Sequence, residues 1–158
     1  MKLYLKQKVF SWRDKFTAYD EGGGDMFYIE SELFTWGKKL HVSDVLGNEV
    51  AYIEQKLFTF LPRYFITTYG VNTAEIVKNF TFFHQSYTIN GPDWNAEGDF
   101  FDHEYTISSN GYIIAAVSKH WFTLGDAYEI DIADGIDIAM VLSVVLVIDA
   151  CIAAQNNN

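Results

Sequence analysis

The sequence predicts a mainly β protein, a closed antiparallel barrel of about twelve strands around a central hydrophobic C-terminal α-helix. Three observations predict it: a repeated phrase, alternation of apolar and polar residues over about the first 130 residues, and a closing apolar run. The phrase is Phe-(Thr/Ser)-x, a few turn-like residues, and an aromatic residue or Leu six positions after the Phe. It occurs from Phe10 to Phe16, Phe34 to Leu40, Phe58 to Tyr64 and Phe122 to Tyr128, with looser echoes from Thr81 to Tyr87 and Asp99 to Tyr105.

The strands are predicted from short alternating runs that are rich in β-branched and aromatic residues. Such runs are Tyr52-Ile53, Tyr64 to Thr68, Tyr105 to Ser108 and Tyr128 to Ile132. Turn residues separate them, and Asn110-Gly111 is the strongest turn signal because both positions of a type I′ turn require positive φ. About six copies of a two-strand unit would give about twelve strands, and a sheet of that size normally curls or closes.

The apolar run from Ile136 to Ala154 contains eleven Ile, Leu, Val or Met residues and no Gly or Pro. Its length suits either a helix buried by protein on all sides or a membrane span; a pair of strands is a third alternative. Each aliphatic residue favours membrane insertion by about 0.3–0.6 kcal/mol, whereas one central Asp opposes it by about 2.5–3.5 kcal/mol. Asp137 and Asp149 therefore favour the buried helix. Asp137 is then its N-cap, and Asp149 needs a partner in the barrel wall or an exposed position near the helix end.

Length and composition predict one domain over residues 1–154, followed by a frayed tail over 155–158. The net charge is −10, and residues 64–158 hold only Lys78 and Lys119 against twelve acids. That balance argues against a nucleic-acid partner, which would need a basic face. The single Cys151 allows no disulfide within the chain, and the N-terminus lacks the apolar core of a signal peptide. We therefore expect a cytoplasmic protein.

Four segments, together with the apolar end, resemble the LURP-one-related family, specifically the bacterial YxjI-like branch of the tubby C-terminal-like superfamily. They are QKVFSWRDKF (7–16), LGNEVAYIEQKLFTFLPRY (46–64), DWNAEGDF (93–100) and HWFTLGDAYEIDI (120–132). The resemblance implies a twelve-stranded barrel with the C-terminal helix threaded through its centre. Tubby domains bind phosphoinositides, a related branch is called phospholipid scramblases, and plant members are linked to defence. No catalytic residues define the YxjI-like branch, so the resemblance implies none.

Two acidic segments suggest chemistry that the surrounding pattern does not favour. Residues 93–104 match the spacing of an EF-hand calcium loop, with Asp93, Asn95, Glu97, Gly98 and Glu104 in place. An EF-hand needs a helix on each side, and here both flanks are predicted strands. The segment 102–104, Asp-His-Glu, suggests acid–base catalysis, but successive strand residues face opposite sides and cannot converge. We therefore predict no metal site, no catalytic site and no cofactor.

One group of residues predicts a binding site. In the first three repeats, the positions between the leading Phe and the next aromatic residue or Leu are basic: Arg13, Lys15, Lys38, Lys39 and Arg63. If equivalent turns gather at one rim of the barrel, these cations could hold a phosphorylated head group. The alternative is solubilising turn charges that stay apart.

The predicted function is a non-enzymatic binding or scaffold module. Its partner would be a phospholipid or phosphoinositide head group or a protein, which allows a peripheral position at a membrane. The alternative function is a membrane-associated, scramblase-like or tail-anchored protein whose C-terminal apolar segment contacts the bilayer.

Overall fold

The computed structural model describes residues 1–6, 15–80, 84–122 and 125–156, and this part of the chain forms twelve β-strands and one α-helix. The strands are β1 (Lys2–Lys6), β2 (Phe16–Tyr19), β3 (Asp25–Ser31), β4 (Lys39–Asp44), β5 (Glu49–Gln55), β6 (Arg63–Thr68), β7 (Val71–Phe80), β8 (Gln85–Asn90), β9 (Trp94–Asp99), β10 (Glu104–Ser109), β11 (Tyr112–Phe122) and β12 (Gly125–Ile132). The helix is α1 (Ile138–Asn156). It begins and ends two residues later than the apolar run, so Gln155 and Asn156 belong to the helix.

The strands close into a barrel in which each strand pairs antiparallel with the next. The first and last strands complete the ring, with Lys2 opposite Asp131 and Lys6 opposite Ala127. Tyr4 and Tyr19 pair β1 with β2 in the described part of the chain. The predicted closed barrel of about twelve strands is therefore confirmed.

The barrel forms because the side chains alternate along its strands, and most of those that point inward are apolar. In β6, for example, Tyr64, Ile66 and Thr68 are buried, while the residues between them are partly exposed. The predicted Asn110-Gly111 turn has φ values of 49° and 82°, as a type I′ turn requires. The turn residues and the alternation of inward and outward side chains thus specify the same pairing register between neighbouring strands.

The helix fills the barrel. Every residue from Ala139 to Ile152 is buried, so α1 is enclosed on all sides by the strands. Asp137 caps its start, because its Oδ1 accepts hydrogen bonds from the backbone N–H of Ala139 at 3.0 Å and of Met140 at 3.4 Å. By length and composition, Ile138–Gln155 could cross a membrane, but 78% of this stretch is buried inside the protein.

The alternating topology gives the barrel two distinct ends. One end carries the turns 20–24, 45–48, 69–70, 91–93 and 110–111 and the link 133–137, and we call it the acidic end. The opposite end carries the connections that follow β3, β5, β7 and β9, and we call it the aromatic end. Because β12 finishes at the acidic end, α1 runs back through the barrel and finishes at the aromatic end.

Candidate functional site

The aromatic end carries large apolar side chains that the fold does not use. Phe34 is 102% exposed and Phe58 is 97% exposed, so neither side chain packs against the rest of the protein. Both residues have positive φ, 61° and 58°, and both lead a copy of the repeated phrase. A bulky L-residue in this left-handed region costs about 1–2 kcal/mol. The loops 32–38 and 56–62 therefore hold two phenylalanines outward in a strained conformation that contributes nothing to the core.

These two loops lie side by side, and hydrogen bonds join the residues at their bases. The Gln55 backbone N–H donates to the Lys38 carbonyl at 2.8 Å, and the Lys38 backbone N–H donates to Gln55 Oε1 at 3.1 Å. Gly37, at φ 81°, lies so close to the next loop that a Cβ there would come within 2.8 Å of Leu57 Cδ2. Glycine is needed here for its conformation and for the close approach. Further exposed apolar residues at the same end are Leu33, Trp36, Phe60, Phe80 and Phe101.

The predicted basic residues gather at the aromatic end, but most of them meet a carboxylate there. Lys15 Nζ lies 3.1 Å from Glu30, and Arg63 lies 3.0 Å from Glu75. Lys39 Nζ lies between two carboxylates, 3.9 Å from Glu32 and 3.8 Å from Glu54. Arg13, the remaining predicted site residue of the first repeat, lies outside the described residues. Three of the predicted cations therefore belong to ion pairs, and their charges are largely neutralised.

Lys38 differs from the other predicted cations because it reaches into the barrel. Its Nζ donates a hydrogen bond to the Ala150 carbonyl in the penultimate turn of α1, at 3.2 Å. The lysine therefore lies near the C-terminal end of the helix, the end that carries partial negative charge. Burial lowers the pKa of Lys38, and the nearby Cys151 thiol acts in the opposite direction.

Charge is distributed unevenly along the barrel axis. Every described Lys or Arg except Lys2 lies in the half nearer the aromatic end: Lys6, Lys15, Lys38, Lys39, Lys56, Arg63, Lys78 and Lys119. The acidic end carries Asp20, Glu21, Asp25, Asp44, Glu49, Asp93, Asp134 and Asp137. The aromatic end thus presents both signs of charge, whereas the opposite end is almost uniformly negative.

The barrel interior beneath the aromatic end is polar. Asp149, 2% exposed, accepts a hydrogen bond from the Tyr128 hydroxyl and lies 3.2 Å from His103 Nε2. The rings of His103 and Tyr128 stack with their centroids 4.5 Å apart. Burial, with the adjacent Asp149 carboxylate, raises the pKa of Tyr128 well above its usual value, so the hydroxyl remains a donor. The sequence predicted either a partner in the barrel wall or an exposed position for Asp149, and the structure shows the wall partner.

His103 reaches the interior because it occupies a turn with φ 55°. Its neighbours Asp102 and Glu104 are exposed, so the three side chains do not converge. The segment that matched a calcium loop forms the β9–β10 hairpin, with Glu97 opposite Thr106 and Asp99 opposite Glu104. Within the described ranges, no group of three or more His, Cys, Asp or Glu side chains is arranged to hold a metal ion.

A closed twelve-stranded antiparallel barrel around a buried central helix is the tubby-like class of fold. The sequence profile of the LURP-one-related family matches residues 1–149. The chain is 34% identical to the uncharacterized protein YxjI of Bacillus subtilis (strain 168) over 149 residues, which cover 94% of this chain and 92% of that protein. The chain therefore belongs to the LURP-one-related family, as its four segments predicted.

One solved structure is similar over nearly the whole chain. It is the X-ray structure of an Arabidopsis thaliana protein, with a TM-score of 0.66 and 14% sequence identity. The match covers 94% of this chain and 89% of the plant protein. At that identity the similarity concerns the fold alone, and it supports the barrel with a central helix.

Proposed function

We propose that this protein is a non-enzymatic binding module that docks on a phospholipid bilayer through its aromatic end. The observation that carries the proposal is the pair Phe34 and Phe58, fully exposed and held at positive φ in neighbouring loops. Folding gives no reason to keep phenylalanine at these positions, since both would be less strained as glycine or asparagine. Insertion of the two rings into a binding surface would explain why phenylalanine is kept at these positions.

A bilayer suits these loops better than a protein surface does. Phe34, Trp36, Phe58 and Phe60 are 83–102% exposed, so they project as separate side chains rather than forming a flat apolar patch. Separate projecting rings can enter the interface between head groups and acyl chains, where aromatic residues are favoured. Burying each ring would contribute about 1.5–3 kcal/mol before the cost of association.

The charge distribution would orient the barrel on an anionic membrane. The acidic end would be repelled, whereas the aromatic end presents lysines whose carboxylate partners leave little net charge. Insertion of the rings would then provide most of the affinity, and salt would weaken binding only modestly. A peripheral position at the cytoplasmic face of a membrane is the corresponding proposal for its location.

Vesicle sedimentation tests this proposal. Wild-type protein is mixed with vesicles of phosphatidylcholine and phosphatidylglycerol, and the bound fraction is compared with that of Phe34→Ser/Phe58→Ser. We expect the double substitution to weaken partitioning about tenfold or more, because two inserted rings are lost. The matched control is Leu46→Ser/Tyr112→Ser, which removes two exposed apolar side chains from the acidic end.

The control should bind as the wild type does. Equal losses in the two double variants, or no wild-type binding to any vesicle, would contradict membrane docking. A protein partner for the same surface would then be the better explanation of the exposed rings.

A further inference from the structure

Lys78 is a buried cation without an anionic partner. It faces inward from β7 and is 3% exposed, yet its ammonium makes no ion pair or hydrogen bond with any residue in the described part of the chain. Its nearest aromatic contact is the Tyr87 ring, whose centroid lies 5.9 Å from Nζ, at the outer limit of a cation–π interaction. A buried charge is normally paired, because removing it from water without compensation is costly. Burial accordingly lowers the pKa of Lys78.

Lys78 lies close to the aromatic end. It is two residues before the end of β7, and Phe80, the next position of the same alternation, is 61% exposed. The lysine is therefore one inward position below an exposed residue at the rim of the barrel. The last turn of α1 ends near the same rim, where Gln155 is exposed.

Two further donors lie around the penultimate turn of the helix. Lys38 Nζ donates to the Ala150 carbonyl. Burial raises the pKa of the Cys151 thiol, and Lys78 and Lys38 act on it in the opposite direction. The Tyr87 hydroxyl faces the same thiol, which is its polar neighbour, and makes no hydrogen bond of normal geometry among the described residues. Asp149, which also acts on Tyr87 and Cys151, is engaged by His103 and Tyr128.

We propose that Lys78, with Lys38 and Tyr87, forms a subsite for one phosphate group at the mouth of the barrel. Two ammonium groups supply donated hydrogen bonds and positive charge, and the phenol O–H adds a further donor, which together complement an oxyanion. This inference deepens the proposed function, on which it rests, by naming the chemical group that would be held beneath the inserted rings. A lipid head group and a free phosphate ester share this chemistry.

The test compares Lys78→Met, which removes the charge at nearly constant length, with Lys2→Met. Lys2 is the control because it lies on the outer face of β1 near the acidic end, with its Nζ 2.8 Å from Glu129, and its loss changes the net charge equally. Each protein is titrated with glycerol 3-phosphate by NMR, and its partitioning is measured on phosphatidylcholine vesicles with and without phosphatidic acid. Thermal unfolding checks the fold, and Lys78→Met should raise the midpoint because it removes an unpaired buried charge.

For Lys78→Met we expect about a tenfold or greater loss of binding to glycerol 3-phosphate, to the phosphatidic acid vesicles, or to both. Lys2→Met should stay within about twofold of the wild type, a difference of about 0.4 kcal/mol. A loss confined to the soluble ester would identify a free phosphate as the ligand, and a loss confined to the vesicles would identify a lipid.

Equal binding by Lys78→Met and wild type in both assays, equal losses in the two variants, or no wild-type binding to either phosphate probe would overturn the subsite. Phosphatidylcholine binding that still depends on Phe34 and Phe58 would then leave membrane docking standing. If no vesicle binds at all, the glycerol 3-phosphate titration still decides the subsite by itself.

Discussion

The two ends of the barrel reverse the chain between antiparallel strands by different means. At the acidic end the turns are short, and their acids have structural partners. Asp20 Oδ1 accepts the backbone N–H groups of Gly22 and Gly24 at 2.8 and 2.7 Å, and Asp44 Oδ1 accepts those of Leu46 and Asn48 at 2.9 Å each. At the aromatic end the loops 32–38 and 56–62 are longer, and they project Phe34 and Phe58 almost fully into solvent.

This difference distinguishes residues that the backbone of the fold requires from exposed residues that do not stabilise it. At their left-handed positions the turns of the acidic end mostly use Gly, Asn or Asp, which tolerate this conformation, and Tyr69 at φ 49° is an exception. The loops 32–38 and 56–62 of the aromatic end depart from the rule more strongly, since Phe34 and Phe58 occupy left-handed conformations and are almost fully exposed. A local violation without compensation in the folded state is typical of functional sites.

The largest expected effect concerns the polar interior beneath the aromatic end. Asp149→Ala would leave His103 Nε2 and the Tyr128 hydroxyl without their partner, near two atoms, His103 Nδ1 and the Tyr105 hydroxyl, that already have none among the described residues. We expect a loss of about 3–5 kcal/mol in the free energy of unfolding, measured by urea denaturation.

Ser143→Ala is the control for this loss. Ser143 is also buried in α1, but its hydroxyl donates only to the Ala139 carbonyl of the same helix, at 2.7 Å. Its removal should change stability by less than about 1 kcal/mol. Equal effects of the two substitutions would show that the Asp149 network does not anchor the helix to the barrel wall.

The second-largest expected effect concerns Gly91, where the backbone of a turn at the acidic end leaves no room for a Cβ. Gly91 has φ 117°, and a Cβ there would lie 2.3 Å from the Thr73 carbonyl oxygen. Gly91→Ala should therefore cost about 2–4 kcal/mol, because strain in φ is added to displacement of the neighbouring backbone. Gly47→Ala is the control, since Gly47 also has positive φ but faces open space, and it should cost only about 1–2 kcal/mol. Comparable losses in thermal or urea unfolding would remove the steric argument.

The sequence predicted most of the fold because the fold is encoded locally. Period-two alternation places Tyr64 and Ile66 inward, Asn110-Gly111 specifies its turn, and an apolar run with two acids favours a buried helix over a membrane span. Each of these signals lies within a few consecutive residues. Their agreement with one another made the closed barrel predictable.

The candidate site was less predictable because it depends on long-range geometry. The sequence placed Lys39 and Arg63 at one rim, but not opposite Glu54 and Glu75 on neighbouring strands. The sequence did not predict an interior position for His103, because no local signal indicates the positive φ that turns this residue inward. The leading phenylalanines were recognised only as a repeat, although a bulky apolar residue just before a run of turn residues was an available sign of exposure.

A smaller effect tests the strain at the aromatic end directly. Phe58→Asn should raise the free energy of unfolding by about 0.5–1 kcal/mol, since Asn tolerates φ 58° better and no packing is lost. Phe60 is equally exposed but has no positive φ, so Phe60→Asn should leave stability almost unchanged. Urea unfolding of both variants provides the comparison. If Phe58→Asn destabilises the protein, the ring has a structural role, and the case for a retained binding residue weakens.

The smallest expected effect concerns His41, which lies on β4 between the two ends of the barrel. The His41 ring lies 2.8 Å from Glu32 and 2.5 Å from Glu49 through its two nitrogens. Burial, the largest influence, lowers the pKa of His41, but the hydrogen bonds to the two carboxylates outweigh it, and the net pKa is raised above 6.5. A raised pKa means that the folded state holds the proton more tightly. The resulting stability is fully present below about pH 6.5 and is lost as pH rises through the higher folded pKa.

Because His41 is partly exposed, solvent screening limits this contribution to less than about 1 kcal/mol. His41→Gln should flatten the decline in unfolding free energy on the alkaline side of pH 6.5 relative to the wild type. Urea midpoints of the two proteins, measured across neutral pH, test this expectation. An unchanged slope in His41→Gln would mean that the contacts of His41 with Glu32 and Glu49 do not stabilise the folded state.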